Sequence, residues 1–343
     1  MNRRQFLALS AASAASVAQL SAALGKPMGI SIASYGIRWR ARKTPAGAGW
    51  KNALDVIAHC ESLGIGCLQI GVRGWQEDFA GKVRSARESA GLILEGQIAL
   101  PKDETDISRF ENEAKRAKEA GAKILRTVCL GGRRYETFPN HERWAEFRSN
   151  SMKRLTLAEP IMRKLGLILA VENHKDWRTD EFLSILRHFD SEFIQVNFDF
   201  GNNLSLLENP LEVAGALAPW IVTTHLKDMA GKATEEGFLL SEVPLGTGVL
   251  DLDALIQTCS SHHPSVQFNL EMITRDPLVI PCLKPQYWAT MDTVENRELA
   301  MANTLAILKS NPVELPTLSG LDQTQQITFE EENVRKSLAW PHT

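Results

Sequence analysis

Short apolar runs recur along the chain, each followed by an amphipathic stretch, and the last four end on a carboxylate or imidazole. Residues 28–34, 67–72, 92–99 and 123–130 read as four strands of this kind. LILAVE (167–172), FIQVNFD (193–199), WIVTTH (220–225) and VQFNLE (266–271) read as four more. The segments between them have helical spacing, over 50–63, up to residue 90, over 106–120 and over 141–165. Gly64, Gly91, Gly121 and Gly166 follow, where a helix ending in a left-handed residue places glycine. A last helix is expected over 294–308, and a polar, basic loop over 38–49. Eight strands alternating with eight helices predict an α/β fold, a (β/α)8 TIM barrel from about residue 26 to 311.

Chemistry gathers at the strand tips. Glu172, Asp199, His225 and Glu271 each close one of the last four apolar runs. A barrel delivers successive strand ends to one face, so these four are expected to converge. A strand-end polar residue is ordinary when taken singly; four in phase are not. Three carboxylates and a neutral imidazole make a hard, oxygen-rich set for one divalent metal ion. Mn²⁺ ranks first, with Mg²⁺, Zn²⁺ and Co²⁺ as alternatives. Side chains two apart on a strand share a face, which adds His174 beside Glu172 and Lys227 beside His225 as substrate-binding candidates. The competing reading of Lys227 is a salt bridge beneath the rim with Asp228 or another acid. Gln69, Glu95 and Gln97 are polar residues in apolar strands, and one or two of them are expected to line the mouth. Arg133 and Arg134 follow the fourth strand and fit a solvated basic turn better than an anion site. Gly246-Thr247-Gly248 lacks the lysine and preceding strand of a phosphate loop.

Residues 1–25 read as an address. Arg3-Arg4 precedes a weakly apolar Ala/Ser stretch, the pattern of a twin-arginine export signal, so a periplasmic or otherwise exported protein is expected. No later run approaches the roughly 20 apolar residues of a membrane span. The five cysteines match no zinc or redox spacing and are expected as buried free thiols. A net charge of −3 disfavours a nucleic-acid partner. Residues 273–293, with three prolines, Tyr287 and Trp288, are too long for a plain turn and fall where a lid would sit, the alternative being an ordinary packed surface excursion. The polar tail 312–343 has three possible places: on the barrel, against a second subunit of a homo-oligomer, or loose.

The motifs AVENH (170–174), FDFGNN (198–203), HLKD (225–228), PLGTG (244–248) and NLEM (269–272) resemble, in this order, those of the xylose isomerase-like barrel superfamily. That superfamily includes sugar isomerases and epimerases, hydroxypyruvate isomerases, inosose dehydratases and endonuclease IV. The resemblance covers the C-terminal half and implies that Glu172, Asp199, His225 and Glu271 bind one metal, with Glu172 and Glu271 as the acid/base pair. The activity it implies is isomerisation or epimerisation of a small keto-sugar or polyol ketone through an enediolate. A lyase or dehydratase acting on a keto-glycoside or keto-sugar is the alternative, and a non-catalytic carbohydrate-binding barrel is a third. Asn202 stands where the ketose epimerases often carry a histidine, and is expected to donate to a substrate hydroxyl. The first three strand ends offer no histidine for a three-zinc nuclease centre, since His59 falls in a helix.

Overall fold

The computed structural model describes residues 15–22, 24–44, 50–291 and 294–340. Eight strands close a parallel barrel: β1 (Gly29–Ser31), β2 (Cys67–Gly71), β3 (Ile93–Gln97), β4 (Ile124–Thr127), β5 (Ile168–Glu172), β6 (Ile194–Asp199), β7 (Ile221–Leu226) and β10 (Gln267–Leu270). All eight apolar runs form these strands, with shorter bounds than their patterns suggest. The helices α3 (Ala53–Leu63), α4 (Glu77–Ser89), α5 (Ile107–Glu119), α7 (His141–Leu165), α8 (Thr179–Phe189), α9 (Pro210–Leu217), α10 (Leu252–His262) and α11 (Arg297–Lys309) follow the strands around the barrel. Gly64 and Gly166 end α3 and α7 in the left-handed conformation.

The barrel interior is unusual in its polarity. Outward-facing side chains such as Leu68, Leu94, Leu125 and Leu169 pack against the helices in one hydrophobic cluster. Inward-facing positions carry Gln69, Glu95, Asn197, Thr223 and Asn269, all buried. Glu95 Oε2 accepts from Gln69 Nε2 (3.0 Å), Thr223 Oγ1 (2.8 Å) and Asn269 Nδ2 (3.0 Å). Gly29 makes room for this layer, since a Cβ there would stand 2.1 Å from Asn269 Oδ1. Burying so many polar groups is tolerable because they bond to one another.

Two regions differ from expectation, and two that the sequence left open take a definite form. Part of the basic loop is helical, as α2 (Gly36–Ala41). The connection after β7 carries an antiparallel hairpin, β8 (Asp228–Thr234) and β9 (Gly237–Val243), before its helix. Its alternation is short and interrupted by charged residues, so it escapes a search for apolar runs. Residues 273–291 are a fixed wall: β11 (Leu278–Ile280) adds to β9. Tyr287 is buried and donates to the Ser205 carbonyl at 2.7 Å. The tail docks on its own barrel through α12 (Gln323–Leu338), burying Val334 and Leu338, at about 1.5–3 kcal/mol for each such side chain.

Glu330 caps α2, accepting from Ile37 N (2.6 Å) and Arg38 N (3.0 Å). Asn333 Nδ2 donates to Thr274 Oγ1 at 3.0 Å, and Asp276 accepts from Leu318 N at 2.7 Å. The tail thereby ties together the loops after β1 and β10. At the other end of the chain, α1 (15–22) places Val17 and Leu20 in the main core, with Leu24 just behind. Arg3 and Arg4 lie outside the described residues. The five cysteines are buried and free, as expected, and burial pushes the Cys60 thiol up to about 12.

Candidate metal centre

The four strand-tip residues meet. His225 Nδ1 lies 3.4 Å from Glu172 Oε2, 3.7 Å from Asp199 Oδ2 and 3.3 Å from Glu271 Oε1. Register explains this: Asp199 is directly opposite His225 on the neighbouring strand, and Asn269, two residues before Glu271, is opposite it on the other side. Donor atoms bound to one ion at about 2.0–2.3 Å stand roughly 3 Å or a little more from each other. Those of Glu172, Asp199 and His225 all lie within 4.8 Å of one another, and Glu271 joins this triad through its approach to His225.

The tautomer of His225 supports the same reading. Gln69 Nε2 donates to Glu95 and to Asn197 Oδ1 (3.1 Å), which turns Gln69 Oε1 toward His225 Nε2 at 2.8 Å. An amide oxygen only accepts, so Nε2 bears a hydrogen and Nδ1 is the nitrogen that faces the three carboxylates. Nδ1 is buried and has no hydrogen-bond partner among the described residues. Burial opposes a charge on this ring, but Glu271 and Glu172 outweigh it and raise its proton affinity well above the ordinary histidine value. A nitrogen so placed is equally suited to another cation.

Local motifs set the carboxylates. Asp199 Oδ1 accepts from Gly201 N and Asn202 N, both at 2.9 Å, which leaves Oδ2 to the centre. Asn173 receives the Asp199 amide at 2.6 Å and donates to the Asp199 carbonyl at 3.0 Å, fastening the end of β5 to that of β6. Asp228 takes four backbone amides, including Gly246 N (3.0 Å) and Gly248 N (2.8 Å). The amides of the PLGTG turn are thus satisfied by an internal carboxylate, in agreement with the rejection of a phosphate loop. A Cβ at Gly248 would meet Asp228 Oδ1 at 2.2 Å.

Cations surround the ligands. Lys227 Nζ is 2.7 Å from both Asp199 Oδ2 and Glu271 Oε2. The contact to Asp199 is an ion pair without hydrogen-bond alignment. Lys227 therefore belongs to the centre, and its acid partners are Asp199 and Glu271 rather than Asp228. Asn202 Nδ2 donates to Glu172 Oε1 at 3.0 Å, and its Oδ1 accepts from Lys175 Nζ. Burial lowers Lys175 to about 8. His174 lies beside Glu172 with Nδ1 buried and without a partner among the described residues, and burial lowers its ring to about 4. Gln69, Glu95 and Gln97 all turn inward.

Arg133 pairs with Glu136 on the surface, at 2.6 Å. Arg134 corrects the expectation of a solvated turn. It is buried over Trp144, paired with Glu181 at 2.5 Å and bonded to Thr290. Its role is to anchor the loop after β4 to the wall that follows β10.

Sequence reasoning missed Arg126, Lys175, Glu242 and Arg275. Arg126 Nε donates to Glu172 Oε2 at 2.6 Å, with Nη2 against the same oxygen. Arg275 and Glu242 form a pair at 2.5 Å, 3.8 Å from Lys227 through Glu242 Oε1. A charged residue within the short strand ILRT was the available signal for Arg126. Burial alone would raise Glu172, yet Arg126 and His225 hold its carboxyl below the usual range. For Glu271, His225 and Lys227 outweigh burial in the same way. A surface cleft of about 710 Å³ beside Phe138 and Arg154 contains none of these groups.

A family model described as xylose isomerase-like TIM barrel matches residues 95–290. The chain belongs to the xylose isomerase-like TIM barrel family. Within it, the chain is 27% identical over 252 residues to a 3-oxo-isoapionate decarboxylase of Pectobacterium atrosepticum, covering 71% of this chain and 85% of that protein. A D-psicose 3-epimerase solved in the presence of D-fructose shares the fold at TM-score 0.56 and 13% identity, over 91% of this chain and 97% of that one. A xylose isomerase-like barrel protein of Mycobacterium smegmatis, solved in complex with magnesium, shares it at TM-score 0.53 and 16% identity, over 82% and 97%. The family fold thus accommodates proteins named for different reactions.

Proposed function

We propose that the chain is a divalent-metal-dependent enzyme, an isomerase or epimerase by first reading, acting on a small polyhydroxylated ketone. The observation that carries this is the convergence of three carboxylates on the lone-pair nitrogen of His225. Glu172, Asp199, His225 and Glu271 would hold the ion, and the hard donor set suits Mn²⁺ first. When bound, the ion supplies Lewis acidity that makes the C–H beside a chelated ketone easier to deprotonate. Glu271 is the better proton acceptor of the two glutamates. Among the described residues its Oε1 has only Ser31 Oγ as a hydrogen-bond donor, at 3.5 Å, whereas both oxygens of Glu172 are engaged by Asn202 and Arg126. Lys227 steadies Glu271 through Oε2. His174 is the candidate to meet a substrate hydroxyl, whereas the Asn202 amide is already engaged by Glu172 and Lys175.

A second reading, the lyase, draws support from that same asymmetry and from the decarboxylase relative. With Glu172 engaged, protons are handled on one face. Loss of carbon dioxide from a 3-oxo acid abstracts no C–H proton. The C–C bond breaks, its electron pair passes into the ketone, CO₂ leaves, and the carbon takes up one proton. The export reading of Arg3-Arg4 is retained as part of the proposal, on the sequence pattern alone.

The test is incubation of Mn²⁺-loaded protein in D₂O with ketoses, 3-keto-glycosides and 3-oxo sugar acids, followed by NMR. Deuterium beside the carbonyl is expected, with a loss of about 10²–10⁴-fold in Glu271→Gln at equal metal content. Release of CO₂ without exchange in unreacted substrate would select the lyase. Wild-type protein that binds metal and leaves every such substrate unchanged would overturn both readings.

A further inference from the structure

Arg126 comes from β4, a strand that supplies none of the four candidate ligands. Its Nε and Nη2 are spent on Glu172 Oε2, which leaves Nη1 outside that pair. Its side chain is 19% exposed where that of Glu172 is 1% exposed, so Arg126 is the member of the pair that reaches toward the mouth. From this we propose that the substrate carries a carboxylate and that Arg126 binds it. The inference rests on the metal-dependent reading above and narrows its substrate class.

Charge balance points the same way. Around the centre stand four carboxylates, Glu172, Asp199, Glu242 and Glu271, against four cations, Arg126, Lys175, Lys227 and Arg275. Histidines 174 and 225 add no charge when neutral. These eight groups cancel, and even with the buried Glu95 carboxyl counted as an anion a divalent ion leaves an excess of positive charge in a buried pocket, where uncompensated charge is costly. A neutral ketose would leave that excess in place, while a sugar acid reduces it. The planar guanidinium is the group best matched to a carboxylate. A phosphate ester would also supply negative charge, but the glycine-turn amides that commonly cradle phosphate are occupied by Asp228.

The test uses the full chain loaded with Mn²⁺, with metal content measured by atomic emission. D-erythronate, erythritol and erythritol 4-phosphate serve as unreactive probes in calorimetric titrations. Erythronate is expected to bind at least tenfold more tightly than the other two. Arg126→Lys keeps a cation against Glu172 and removes the free guanidinium nitrogen. It should retain stoichiometric Mn²⁺, lose tenfold or more in erythronate affinity, and leave erythritol affinity within threefold. Equal binding of erythronate by wild type and Arg126→Lys, or tighter binding of erythritol or its phosphate, overturns this inference alone. A wild-type chain that holds no Mn²⁺ overturns the metal reading and this inference with it.

Discussion

The two halves of the barrel divide the work at the mouth. Strands β5, β6 and β7 and the end of β10 supply the candidate ligands, all titratable. Strands β1 to β4 supply Ser31, Gln69, Glu95, Gln97 and Arg126, groups that mostly aim other groups. Gln69 shows the difference: it is held by Glu95 and Asn197 and fixes which nitrogen of His225 is free. One half thus offers donor atoms, and the other decides their orientation and protonation. A centre described by its ligands alone would omit the half that makes His225 available.

The largest effect should come from the ligand half. His225→Ala leaves three buried carboxylates without the ring that joins them, at about 3–5 kcal/mol for breaking a buried charged set. Mn²⁺ affinity should then fall roughly 10²- to 10³-fold, measured by titration against a fluorescent chelator. Unchanged affinity would remove His225 from the centre.

A smaller effect is expected from the orienting half. Gln69→Leu touches no candidate ligand oxygen, yet it should weaken Mn²⁺ binding about 10–100-fold by releasing the His225 tautomer. Thermal unfolding of the metal-free variant provides the control. If affinity follows stability alone, Gln69 is only packing and the division between the halves fails.

The smallest effect lies outside both halves, in the tail. Burial outweighs the α2 amides and raises Glu330 to about 7. A carboxyl with a higher pKa folded than unfolded contributes stability that is full below its unfolded value, near 4.5, and is lost as pH rises through about 7. Docking of α12 should therefore loosen between pH 5 and 8, by on the order of 1–2 kcal/mol. Hydrogen exchange of the 323–338 amides, corrected for intrinsic rates, measures it. Glu330→Gln should flatten the dependence, and an equal slope in both proteins would refute the assignment.

The ligand half was legible because an acid or imidazole closing an apolar run breaks the pattern in plain view. Arg126 was equally visible within ILRT, but without strand register nothing distinguished it from a rim arginine. Gln69, Glu95 and Gln97 stood out as polar, although their bonds cross between strands far apart in sequence. Arg134 looked solvated because glycines precede it, and its burial depends on Trp144, Glu181 and Thr290, each from another segment. The hairpin of β8 and β9 and the helix of the tail are amphipathic only weakly. They gain their order from surfaces presented by other parts of the chain.

Periodicity and strand-end chemistry by themselves determined the barrel, its eight strands and the four residues that meet at its mouth. Both are local properties: side-chain alternation and the helix-stopping glycine act over a few residues. Tertiary structure alone decided the tautomer of His225, the engagement of Glu172 by Arg126, the internal filling of the glycine turn by Asp228 and the docking of the tail. Those depend on hydrogen bonds and ion pairs between residues remote in the chain. Their geometry is set only when the barrel closes and places the strands in register.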